Sequence, residues 1–212
     1  MQTAAMVMFT LVYTCRSGAG RRMPVPGADR ARRVESLFRN LTREVHMERK
    51  APILNLDEVE YEEWGHGERF AARLGPLAAR LGARKLGYRV VVVPPGKTAW
   101  PCHFHHVNEE MFLILDGHGT LRIGAERHPL RAGDVVCLPP GPETAHQILN
   151  TSNAALKYLA VSTMEAPDIM EYPDSGKYAV FAGSAPGGAQ ADRTFAIVAR
   201  HRDATDYWEG EE

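Results

Sequence analysis

The chain has 212 residues, 44% hydrophobic, 8% aromatic and 24% charged, with 25 Lys and Arg against 26 Asp and Glu. That length can bury a full core without disulfide or metal staples, and the near-average composition excludes disordered, collagen-like and coiled-coil chains. A net charge of −1 gives no electrostatic reason to expect a nucleic-acid partner. Cys15, Cys102 and Cys137 are too few and too scattered for a secreted disulfide framework.

Charge is spread unevenly: residues 1–50 hold ten Lys and Arg and four Asp and Glu, which leaves fifteen and twenty-two for the remainder. The apolar run Ala4–Val12 is shorter than the about 20 residues that span a bilayer. No Lys or Arg precedes Arg16, no small-x-small cleavage site follows, and Tyr13 and Thr14 do not suit a lipoprotein signal before Cys15. The chain is therefore read as cytoplasmic, with no membrane partner. Val34, Leu37, Phe38, Leu41 and Val45 recur at helical spacing among five arginines. A basic amphipathic helix on a membrane or nucleic acid is one reading. A solvated helix, or a stretch translated from a start codon placed too far upstream, is preferred. Residues 1–46 are read as a basic N-terminal extension, flexible or partly helical. Residues 47–84 are read as an entry segment packing on the body, with Ala71–Leu81 as a short helical turn or loop.

The character then changes. Tyr88–Val93 is a β-branched run closed by Pro94-Pro95-Gly96. Strand-like segments follow at Glu110–Leu115, Thr120–Ile123, Arg127–Leu130, Asp134–Leu138, His146–Leu149 and Leu156–Ser162. Between them lie Asp116-Gly117-His118-Gly119, Gly124-Ala125, Ala132-Gly133, Pro139-Pro140-Gly141-Pro142 and Asn150-Thr151-Ser152-Asn153, all of which carry turn chemistry. Six or seven strands without intervening helices predict an all-β antiparallel sandwich or barrel over residues 85–165. Residues 166–212 are expected to cover it, with Gly183–Ala191 as a loop.

The chemistry concentrates in Pro101-Cys102-His103-Phe104-His105-His106-Val107-Asn108-Glu109-Glu110. On a strand, His103 and His105 face the same side, about 6.5–7 Å apart. Glu110 opens the next strand and brings a carboxylate, and His146 opens a later one. Three imidazoles and a carboxylate form an open N/O site for one divalent transition metal (Fe, Mn, Ni, Zn, Co or Cu), unlike the thiolate sets of closed structural zinc. Glu109 is the rival of Glu110. Strand parity with Phe112 and Ile114 favours Glu110 and makes those two residues cavity wall. His106 should point outward, His118 and His128 are read as solvated, and Cys102 as a small buried hydrophobe. Asn150 is expected to tie a turn together. Trp100 either roofs the site or packs on a neighbouring barrel.

The run His103-x-His105-x4-Glu110-x6-Gly117 resembles the first signature motif of the cupin superfamily. Gly133-x5-Pro139-x-Gly141-x4-His146-x3-Asn150 resembles the second, except that four residues rather than two separate Gly141 from the histidine. The likeness covers Tyr88 to Thr163. It implies a small antiparallel jelly-roll (double-stranded β-helix) barrel with an N-terminal extension, and His103, His105, Glu110 and His146 as metal ligands. With its Glu171–Lys177 segment, the chain is most similar to bacterial single-cupin proteins of unassigned function, some provisionally labelled sugar-phosphate isomerase. A metal-dependent isomerase, lyase or dioxygenase acting on a small keto acid, sugar or catechol-like molecule is the first expectation. A non-catalytic small-ligand-binding or sensing module is the second. Tyr158 on the last strand and Glu143 in the loop before His146 are the acid and base candidates by location. No nucleotide-binding glycine loop, serine nucleophile elbow or CxxC pair appears. By analogy with small cupins a homodimer is expected, with Ile53–Leu56 and Tyr88–Val93 as strand material.

Overall fold

The structure is a computed structural model that describes residues 52–211. The basic extension 1–46 therefore lies outside the described residues. Among these there are thirteen strands: β1 Glu62–His66, β2 Phe70–Pro76, β3 Leu86–Val93, β4 Phe104–His105, β5 Glu110–Asp116, β6 His118–Ile123, β7 Glu126–Arg131, β8 Val135–Leu138, β9 His146–Leu149, β10 Leu156–Thr163, β11 Asp168–Tyr172, β12 Lys177–Ala182 and β13 Phe195–Arg200. The only α-helix among them, α1, is the single turn Ala78–Leu81.

One wall of the jelly roll is a six-stranded sheet in the order β1-β2-β3-β10-β5-β8. The other is built from β7-β6-β9 and β13-β12-β11-β4, and a bridge between His103 and His146 joins the two at β9 and β4. That wall is thus stitched together at the two histidines that the sequence singled out. All strand pairings are antiparallel, as expected from turn-separated segments without crossover helices.

Alternation sorts the central strands. On β3, Val91 and Val93 turn inward to join Phe112, Ile114, Leu156 and Tyr158 in the main core. Val90 and Val92 turn outward onto Val59, Leu77 and partly buried Leu54 and Tyr61. The near-continuous valine run reflects burial on both faces. The turn from β5 to β6 needs Gly117: its φ is 84°, and a Cβ there would lie 2.4 Å from the Ala155 carbonyl oxygen. Asn150 ties its loop as expected, donating to the Val93 and Ala154 carbonyls and accepting from the Ser152 amide.

Two features differ from the sequence reading. Residues 70–76 are strand rather than helical turn, and only Ala78–Leu81 is helical. Pairing of β2 with both β1 and β3 overrides a local i, i+3, i+4 leucine and alanine pattern. Residues 166–212 contribute three strands, and β11 pairs with β4 itself. β3 pairs with β2 on one side and β10 on the other, which makes Tyr88–Val93 an inner strand of its sheet.

Candidate metal centre

Each donor is placed by a different device. His103 is fixed by its bridge to His146, with both amide hydrogens donated across it (3.1 and 2.8 Å). His105 lies on β4, held by β11, and Glu110 is the first residue of β5, paired to β8 and β10. His146 opens β9 directly after the short turn Pro142–Thr144. That turn starts at Gly141 with φ 134°, a conformation side-chain-bearing residues avoid.

The four side chains converge. From Glu110 Oε2 to the Nε2 atoms the distances are 3.2 Å for His146, 3.5 Å for His105 and 3.8 Å for His103. Donor atoms of His103, His105 and Glu110 all lie within 4.8 Å of one another, and His146 joins this group through Glu110. The imidazoles are buried, at 9, 6 and 3% exposure for His103, His105 and His146.

The outer ring nitrogens explain the convergence. His103 Nδ1 donates to the Pro101 carbonyl at 2.9 Å, and His146 Nδ1 to the Thr144 carbonyl at 3.0 Å. A carbonyl carries no proton, so the hydrogen sits on Nδ1 and each neutral ring presents its Nε2 lone pair inward. His105 Nδ1 bonds Asp168 Oδ2 at 2.6 Å, and Asp168 is fully buried, its other oxygen accepting from the Val107 amide. Glu110 Oε2 and His146 Nε2 are buried with no hydrogen-bond partner. Lone pairs pointed at a carboxylate oxygen repel unless a cation stands between them. The residues present therefore fit a divalent metal.

Electrostatics set the donors apart. Burial, then repulsion from His146, pushes His103 down to about 4 against the pull of Glu110. Burial also opposes charge on His105, but Asp168 and Glu110 outweigh it and raise that ring to about 9. Burial would raise Glu110, yet the surrounding imidazoles hold it well below the ordinary carboxylate range.

A cavity of about 150 Å³ adjoins the donors, lined among others by Arg89, Trp100, Phe112, Ile148, Tyr158 and Met170. Tyr158 is 2% exposed, and burial pushes its phenol up, so it stays protonated. Trp100 lines the cavity and packs on the main core, which selects the first of its two readings. Phe112 is cavity wall, whereas Ile114 lies deeper in the core. Glu143 is exposed in the Pro142–Thr144 turn and does not line the cavity; the turn that delivers His146 inward carries Glu143 outward. His106 turns away to bond Glu171 at 2.7 Å, and Glu109 is exposed. Cys102 is 1% exposed in a small cluster with Phe104 and Ala145.

Two residues escaped the sequence reading. Asp168 lies outside both motifs, and no spacing signals a carboxylate that reaches its histidine from a strand 63 positions away. Arg89 was legible in principle. It shares the inward parity of Val91 and Val93 in an otherwise apolar run.

Residues 89–162 match the model of the Cupin domain family. An uncharacterized protein of Methanocaldococcus jannaschii is 35% identical over 71 residues, covering 34% of this chain and 54% of that protein. An oxalate-binding protein of Thermotoga maritima is 37% identical over 83 residues, covering 39% of this chain and 61% of that protein. The chain thus spans less than two thirds of the length of either relative. A structure from Acidithiobacillus ferrooxidans, provisionally named a sugar phosphate isomerase, superposes with a TM-score of 0.60 at 23% identity, covering 73% of this chain and 95% of that one. At that identity the likeness is one of fold. The match places a Cupin domain at residues 89–162 of this chain, within the jelly-roll architecture described above.

Proposed function

We propose that the chain is a metal-dependent enzyme acting on a small, oxygen-rich substrate as an isomerase, lyase or dioxygenase, with one divalent transition metal held by His103, His105, Glu110 and His146. The observation that carries this reading is the inward convergence of the Nε2 atoms on Glu110 Oε2, with each Nδ1 tied off by an acceptor. Such a metal, when bound, supplies Lewis-acid polarisation of a carbonyl or, as iron, activation of dioxygen. Three neutral imidazoles and one carboxylate leave a net positive centre, which suits an anionic oxygen donor.

The chain's own groups supply the rest. Phe112, Ile148 and Trp100 exclude water from one side of the donors. Tyr158 keeps its proton and lines the same cavity, so it is assigned as the group that donates a hydrogen bond or a proton to the substrate. Glu143 has no role in this reading because its turn faces solvent.

The second reading is a binding module without turnover, favoured by the similarity to the oxalate-binding protein of Thermotoga maritima. Screening the metal-loaded protein for turnover of keto acids, sugar phosphates and catechols separates the two. Product formation that is lost on metal removal supports the enzyme. Saturable binding without product across the screen supports the module.

A further inference from the structure

Arg89 is the one guanidinium that lines the cavity. It is half-buried on β3, and among the described residues it makes no ion pair and a single hydrogen bond, Nη2 to the Gly187 carbonyl at 3.3 Å. Burial works against its charge, offset in part by Glu110. A cation led into a cavity without a carboxylate beside it has donors to spare, since a guanidinium carries five N–H groups in a fixed fork.

The sheet register fixes its relation to the metal donors. Arg89 stands opposite Ala160, and Ala160 opposite Phe112. Glu110 is two residues along β5 from Phe112, on the same face. Two strand spacings and one two-residue step separate the α-carbons of Arg89 and Glu110 by about 12 Å. Ala160, small at the row between them, leaves the space open, and Phe112, Ile148 and Met170 make its middle apolar. The cavity therefore has a cation-binding end, a short apolar middle and a fixed positive charge.

We infer that Arg89 holds the anionic tail of the substrate, so that the ligand is a small acid with an oxygen-rich head at the metal donors, a few carbons of span, and a carboxylate or phosphate on the Arg89 fork. This rests on the metal reading above, which places the head. The Gly187 carbonyl, in the loop between β12 and β13, accepts from Nη2 and leaves the remaining N–H groups for the ligand.

The test uses the full chain and three matched metal-binding probes: butyrohydroxamate with a neutral tail, succinic monohydroxamate with a carboxylate, and 3-phosphonopropionohydroxamate with a phosphonate. Calorimetric titration gives each affinity, and elemental analysis gives metal content in parallel. The wild type is expected to bind one charged probe at least about tenfold more tightly than the neutral one. The tighter of the two charged probes identifies the anion. In Arg89→Met that preference collapses while metal content and neutral-probe affinity stay unchanged, and Arg89→Lys, which keeps charge but not the fork, falls between. Equal affinity for charged and neutral probes in the wild type, or a preference that survives in Arg89→Met, overturns the assignment and leaves the metal reading standing. A wild type with no metal and no affinity for any probe overturns the metal reading, and the Arg89 assignment with it.

Discussion

Asp168 acts on the site only through His105. Its 2.6 Å bond to Nδ1 sets the tautomer and aims Nε2 at Glu110, while the Val107 amide anchors its other oxygen. Partners of this kind typically account for about 10–100-fold in metal affinity. Asp168→Ala is therefore expected to weaken metal binding by that factor while Glu171→Gln, at the exposed His106 pair, leaves it unchanged. Competition against a chelator checks this, and equal retention by both variants would remove Asp168 from the account. Tyr158→Phe keeps the ring that packs on Phe112 and deletes only the hydroxyl. Under the enzyme reading, kcat/KM falls about 10²–10⁴-fold at intact metal content, as for loss of a general acid. Unchanged turnover would exclude the phenol from proton delivery. At this scale the sequence was informative where chemistry and parity coincide: His103, His105, Glu110 and His146 meet, and His106 and Glu109 turn away. Asp168 was illegible because its role depends on β11 pairing with β4, a contact that no local pattern encodes.

At the scale of elements, turn chemistry located β3 and β5 to β10, because Gly, Pro or Asn residues punctuate the chain between them. The strand β2 was missed because Leu74, with Leu77, Ala78 and Leu81 beyond it, also fits a helical period, and only the ladder with β3 decides between them. The three C-terminal strands gave weaker signals, since β13 is largely exposed and its apolar residues mark no buried face. What fastens this C-terminal part to the barrel is partly ionic. Arg122 on β6 grips Asp174, in the turn between β11 and β12, through two bonds of 2.7 and 2.8 Å. The Arg122 guanidinium holds the Asp174 carboxyl below its ordinary value, with burial opposing. A depressed carboxylate contributes stability above its unfolded value and loses it as pH falls through the folded one. Because Asp174 is largely solvent-exposed, Arg122→Ala should cost only about 0.2–1 kcal/mol at neutral pH. In strong acid the variant and the wild type should unfold alike. Denaturant titrations at both pH values check this, and a difference that persists in acid would mean the pair stabilises by packing instead.

Across the whole molecule, the bridge between His103 and His146 joins the two sheets of one wall, so that seam also carries two of the four converging side chains. Among the described residues no helix is long and apolar enough to cross a membrane. The barrel and the convergence of the four side chains were legible because turn residues and strand parity carry both. The reaction was not, because it depends on which molecule fits the cavity between Arg89 and the donors. The central claim is that one divalent ion sits on His103, His105, Glu110 and His146. Metal stoichiometry after dialysis measures it most directly, across wild type, His103→Ala, His105→Ala, Glu110→Gln, His146→Ala and the His106→Ala control. The account predicts one transition-metal ion per chain in the wild type and in His106→Ala, with loss in the four others. Full occupancy in the donor variants, or loss in His106→Ala alone, would contradict it.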